Sequence, residues 1–142
     1  MSLEIYLNFN GNCREAAEFY AQAFHSEITH LATFGDMPPN PDHPLPEEAK
    51  SLIMHARVSI LGKTVMFSDV FPGMPFHLGN NINLTALSPD EAQIRTIFDN
   101  LSQDGTIKME LAPTFWSKSY GQLTDKFGIE WQLSCEDETA GS

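Results

Sequence analysis

Imidazole, guanidinium and carboxylate groups move protons, hold metals and bind anions, and one of each falls within a short stretch of this chain. His55 and Arg57 lie in LIMHARVSIL (52–61), and Asp69 is the last residue but one of TVMFSDV (64–70). His55 can donate, accept or ligate a metal. Asp69 can act as general base or ligand, and Arg57 can neutralise it or hold an anionic substrate. Each also has a plain structural reading: a hydrogen-bonded strand histidine, a carboxylate capping the turn before Phe71-Pro72, and an exposed ion pair. The second concentration is FWSKSYGQLTDKFGIEW (115–131), the densest aromatic stretch. Trp116 and Tyr120 suit a pocket wall as well as they suit a plain core. Gly121 after Tyr120 suggests close backbone approach, and Asp125-Lys126-Phe127-Gly128 reads as a turn. His25, His30, His43 and His77 lie at element ends or in loops and read as solvated. No GxSxG, P-loop, dinucleotide fingerprint, HExxH or CxxC pattern occurs.

The elements that must position these residues follow one pattern twice. LEIYLNF (3–9) alternates as a half-buried strand; Gly11-Asn12 follows, with Asn12 as N-cap and Glu15 its reciprocal partner. Ala16, Ala17, Tyr20, Ala23 and Phe24 recur at helical spacing, EITHLATF (27–34) is a strand, and Leu61-Gly62-Lys63 turns one strand into the next. The second half repeats the order. INLTAL (82–87) is a strand; Ser88-Pro89-Asp90-Glu91 starts a helix with Ser88 as cap and Pro89 at its first position. Ala92, Ile94, Ile97, Phe98 and Leu101 form its buried stripe, Gly105 reads as the residue past its end, and strands follow near 106–111, 117–124 and 129–135. The pattern predicts an α+β fold of two βαβββ modules, about 3–70 and 81–135, within one domain spanning 1–142. The halves should combine into a curved mixed sheet around a cavity; a ferredoxin-like sandwich is the competing fold. By strand parity Tyr6, Asn8, His55, Arg57, Asp69, Thr85 and Gln132 would line that cavity. Two irregular segments interrupt the pattern, 35–50 with five prolines and 71–80. The first reads as a lid, the second as a connection.

Composition narrows the function classes. The 142 residues carry 8 Lys+Arg against 19 Asp+Glu, a net charge of −11, so nucleic acid and anionic membranes are poor partners. No apolar run approaches the roughly 18 residues of a membrane span. The first residues show no basic patch, apolar h-region or cleavage site, so a cytoplasmic location with Cys13 and Cys135 as reduced thiols is expected.

The order of elements, with YLNFNGNCREAAEFY, FGDMP, IMHARVSILGKTVMFSDV and FWSKSYGQLTDKFGIEWQL, resembles the PhnB-like branch of the glyoxalase/bleomycin-resistance (vicinal oxygen chelate) superfamily over about residues 3–135. The most specific pieces are His55-Ala56 with Ser68-Asp69, and Trp116 through Tyr120-Gly121 to Asp125-x-Phe127-Gly128. The resemblance implies paired βαβββ modules, a U-shaped sheet around a cavity and a homodimer. Superfamily enzymes bind a divalent metal through side chains of the first, fourth, fifth and eighth strands. Here those positions fall on Ile5 or Tyr6, on Phe67 to Asp69, on Ile82 or Asn83, and on Gln132. Asp69 and Gln132 alone would be too few, so no metal and no other cofactor is expected. Some relatives carry a demethylubiquinone methyltransferase label, but no Gly-rich turn after a parallel strand offers a nucleoside-cofactor site. The expectation is therefore a protein that binds a small molecule through His55, Asp69, Trp116, Tyr120 and Gln132. A metal-dependent lyase, isomerase or dioxygenase and a drug-sequestering resistance protein are the alternatives.

Overall fold

The two alternating runs and the helical stripe of the first half form β1 (Tyr6–Phe9), α1 (Cys13–Ala23), β2 (Ile28–Thr33), β3 (Ile53–Ile60) and β4 (Lys63–Asp69) in the computed structural model, which describes residues 1–136. The second half forms β5 (Asn83–Ser88), α2 (Glu91–Leu101), β6 (Thr106–Ala112), β7 (Tyr120–Thr124) and β8 (Glu130–Cys135). Two compact units result, Met1–His77 and the part from Leu78 onward. Each unit is a four-stranded mixed sheet. The orders, β1-β4-β3-β2 and β5-β8-β7-β6, are the same, with the first strand of each unit parallel to the last and the other pairs antiparallel.

In the first unit the expected stripe of α1 is buried throughout, from Ala16 to Phe24. Tyr20 stacks on Phe67 of β4 at 5.8 Å between ring centroids, and Phe67 on Phe9 of β1 at 5.9 Å. Ala56, Val58 and Val65 complete that face. The β3–β4 hairpin closes through Leu61 and Gly62, both at positive φ (50° and 82°), the conformation of a two-residue type I′ turn.

Both helix starts differ from the sequence expectation. Asn12 precedes α1 with φ −117° and ψ 22°, and its side chain makes no capping hydrogen bond. A distant carboxylate takes the Gly11 amide before the helix and the Cys13 amide at its start instead, as described below. Ser88 stays in β5, and the cap of α2 is Asp90, whose carboxylate accepts from Ala92 N (3.0 Å) and Gln93 N (3.2 Å). Asp90 is extended (φ −92°, ψ 105°), which aims its side chain back at those amides. Ile94, Ile97, Phe98 and Leu101 of α2 are buried, whereas Ala92, expected in that stripe, is exposed.

Gly105 is not the residue just past the helix; Ser102 caps α2, and Asp104 takes the left-handed conformation (φ 58°). Gly105 lacks a side chain for another reason: a Cβ there would lie 2.5 Å from the Thr124 carbonyl oxygen. Gly121 meets its expectation, since a Cβ would approach Phe98 of α2 to 2.8 Å and Leu111 of β6 to 3.0 Å. The strand anticipated from 117 begins only at Tyr120, because Ser117 and Ser119 are buried in a hydroxyl network. There Ser117 Oγ donates to backbone carbonyls of Ser119 and Cys135.

Candidate functional site

Each sheet has one face against its helix and one face away from it, and the candidate residues separate by face. In the first unit the register places Tyr6 beside Met66, Asn8 beside Ser68, and Arg57 between Met66 and His30. Alternation along β3 puts His55 with Arg57 on this helix-free face. The side chains meet there: the His55 ring lies 5.9 Å from Tyr6 and 5.6 Å from His30, and Arg57 Nε donates to His55 Nε2 at 3.2 Å. Partial burial, then the charges of Arg57 and His30, hold the His55 pKa below its ordinary 6.5. His30, which reads as solvated from sequence, is exposed but in ring contact with His55, an approach visible only once β2 pairs with β3.

Asp69 is on the opposite side. Its carboxylate is buried on the face of Phe67, under the start of α1. Oδ1 accepts from Gly11 N (2.9 Å) and Cys13 N (3.0 Å), and Oδ2 from Ile53 N (2.8 Å). This one side chain therefore ties β4 to the β1–α1 turn and to the start of β3. Strand parity placed it with His55; the parity is off by one there, and Ser68 takes the helix-free position opposite Asn8, with which it hydrogen-bonds at 3.3 Å. Beside this carboxylate the Cys13 thiol, fully buried, has its pKa pushed up to about 12, by desolvation first and the Asp69 charge second. It is an inert thiol. Cys13 and Cys135 are both free and buried.

In the second unit the helix-free face carries Tyr120, Gln122 and Thr124 on β7 opposite Ser134, Gln132 and Glu130 on β8, with Thr85 of β5 beyond Gln132. Gln122 Nε2 donates to the Tyr120 hydroxyl at 2.9 Å. The Trp116 ring stands edge-on to Tyr120 at 5.3 Å, and Phe115 edge-on to Trp116 at 4.7 Å. Trp116 is 50% exposed and Phe115 96% exposed, so neither is a core residue. Thus Trp116, Tyr120 and Gln132 share one surface, and Gln122 is its unanticipated fourth member; counting alternate residues on from Tyr120 would have found it. Glu130 ends this row, accepting from Lys108 Nζ (3.1 Å) and Thr124 Oγ1 (2.9 Å). The mirror-face carboxylate is Asp125, buried and bonded to Phe127 N, Ile129 N and Trp131 Nε1.

The 35–50 segment, with short 3-10 turns at Phe34–Asp36 and Glu47–Ala49, encloses a recess of about 540 Å³. Its lining includes Phe34, Met37, Pro38, His43, Leu45 and Lys50, and no candidate residue borders it.

The donor set does not suit a divalent metal. Of the positions that the resemblance nominates, Ile5 is apolar, Tyr6, Asn83 and Gln132 are uncharged, and Asp69 spends its oxygens on backbone amides. Among the described residues no three His, Cys, Asp or Glu side chains come together to hold an ion.

A family model described as 3-demethylubiquinone-9 3-methyltransferase matches residues 2–134. Protein YjdN of Escherichia coli is 33% identical over 94% of this chain and 95% of its own length. The chain belongs to the PhnB-like 3-demethylubiquinone-9 3-methyltransferase family. Among solved structures, protein PA1353 of Pseudomonas aeruginosa is 35% identical to this PhnB-like chain with a TM-score of 0.80, covering 95% of the chain and 98% of that one. The PhnB protein of Bacillus cereus is 30% identical at a TM-score of 0.76, covering 94% and 98%. The fosfomycin resistance protein FosX of Listeria monocytogenes is 10% identical at 0.62, covering 98% and 95%, and shows that the glyoxalase/bleomycin-resistance fold is shared. Methyl transfer would require a methyl-donor cofactor, and in nucleoside-binding α/β folds such groups lie at a glycine-rich helix start. In this PhnB-like chain neither helix start is glycine-rich in its first turn, and carboxylates already occupy amides there, Asp69 on Cys13 N at α1 and Asp90 on Ala92 N and Gln93 N at α2, so the helix starts do not fit such a group. No helix among the described residues is long and apolar enough to cross a membrane.

Proposed function

We propose that this protein binds a small organic molecule against the helix-free face of its second sheet and does so without the metal quartet of its superfamily. The observation that carries the reading is the row Tyr120, Gln122 and Gln132 beside the half-exposed Trp116. Uncharged hydrogen-bonding groups flanked by an aromatic wall fix the orientation of a ligand while burying its apolar surface. In the first unit His55, its pKa lowered by partial burial and by the charges of Arg57 and His30, offers an imidazole on the helix-free face of its own sheet. Asp69, the remaining candidate, holds β4 and β3 in register.

A thermal-shift screen against metabolites and antibiotics tests the proposal. A stabilising compound should lose at least tenfold in affinity when Trp116→Ala and Tyr120→Ala are combined, with unfolding of the free protein little changed because Trp116 is half-exposed and Tyr120 only partly buried. Undiminished stabilisation in that double variant would remove the ligand from this face. The protein is further proposed to act as a homodimer. Light scattering at micromolar concentration should then give about twice the 15.9 kDa chain mass, and a single-chain mass would refute it.

A further inference from the structure

Arg57, His55 and His30 form a basic cluster in a chain whose net charge is −11. Ion pairs engage Lys50, Lys63, Arg95 and Lys108, but among the described residues no carboxylate lies within ion-pair distance of Arg57. The elements around the cluster supply no acid either. Tyr6 and Asn8 come from β1, His30 from β2, and Met66 and Ser68 from β4. A guanidinium without a counter-charge beside two imidazoles is a set of donors that an anion would complete.

We propose that the helix-free face of the first sheet is a binding site for the oxyanion of a small molecule, a carboxylate or a tetrahedral phosphate-like group. The site goes beyond the small-molecule reading of the second sheet and names a ligand chemistry for the first. Arg57 Nε is committed to His55, which leaves the two terminal NH2 groups of the guanidinium for a bidentate anion. Because His55 Nε2 accepts that bond, its neutral form carries the proton on Nδ1, a second donor. Tyr6 and His30 flank the imidazole and hold its plane. An anion at the guanidinium favours the protonated form of the adjacent His55, whose Nε2 then turns from acceptor to donor and releases the Arg57 Nε contact, so binding takes up a proton and must tighten as pH falls.

Sulfate and acetate at constant ionic strength in chloride are suitable probes, since neither changes charge between pH 6 and 8 at about 25 °C. Imidazole Cε1–H resonances of His55 and His30 followed by NMR should shift saturably with one or both anions, with an apparent dissociation constant at least threefold lower at pH 6 than at pH 8. Arg57→Gln and, separately, His55→Gln should each weaken binding at least fivefold while leaving thermal unfolding unchanged, because Arg57 is exposed and His55 only partly buried. Absence of a saturable shift with both anions, a constant independent of pH, or wild-type binding by either variant would overturn the proposal. If a variant failed to fold, the pH dependence of the wild type would decide. A neutral ligand dependent on Trp116 and Tyr120, found together with no anion response, would retire the oxyanion site and leave the small-molecule reading standing.

Discussion

Asp69→Ala is expected to destabilise the protein by about 3–5 kcal/mol, because it strands three amide groups at once. Gly11 N and Cys13 N would lose the acceptor that substitutes for a side-chain cap on Asn12, and Ile53 N would lose its partner at the mouth of β3. An unsatisfied buried donor costs roughly 1–3 kcal/mol, and water can reach the part-buried Gly11 more easily than the other two. Thermal unfolding followed by circular dichroism should show a fall of roughly 10–20 °C for a domain of this size. Asp69→Asn keeps one oxygen for Gly11 and Cys13 but turns an amide NH2 toward Ile53 N, so it should recover only part of the loss. A midpoint within a few degrees of wild type for Asp69→Ala would show that the carboxylate is not the tie between β4, α1 and β3.

A comparable loss, about 3 kcal/mol, is expected for Asp125→Ala in the second unit. Its Oδ1 accepts from Phe127 N (2.9 Å) and Ile129 N (3.1 Å), shaping the turn that Gly128 completes at φ 88°, and its Oδ2 accepts from Trp131 Nε1 (2.8 Å). Trp131 is buried, so its indole N–H has no water to turn to. Trp131→Phe removes that donor, and in its background Asp125→Ala should cost about 1 kcal/mol less if the pair is coupled as the distance implies. Strict additivity of the two substitutions in urea denaturation would refute the coupling. Neither carboxylate faces a ligand surface, so in correctly folded material these variants should retain the affinity of any ligand found at Trp116 and Tyr120.

The elements were legible because their signals are local. Alternation in LEIYLNF and LIMHARVSIL, the Ala16-to-Phe24 stripe and the Leu61-Gly62 turn each report the structure of their own few residues. The repeat of strand, helix and three strands is visible because two modules spell the same pattern, and both sheets have the matching strand order. The capping residues were harder. Ser88, Pro89 and Asp90 all suit a helix start, and only the extended backbone at Asp90 selects among them. Asn12 looked like a cap because nothing near it reveals that a carboxylate on β4 supplies the acceptor. Of the candidate ligand residues, Trp116, Tyr120 and Gln132 share one surface, which strand parity and aromatic density had brought together.

Asp69 marks the boundary between what the chain states locally and what folding decides. The amino-acid sequence alone determined a two-module α+β protein, acidic, with its polar residues alternating on strands whose other face packs on a helix. Those properties depend on periods of 2 and 3.6 residues and on net charge, all of which can be read without knowing which strands are neighbours. The tertiary structure alone decided that Asp69 serves α1, that His30 joins His55 and Arg57, and that Asp125 reaches Trp131. Each depends on pairing between strands or on the direction a side chain takes at a strand end, where a shift of one residue exchanges the two faces of a sheet.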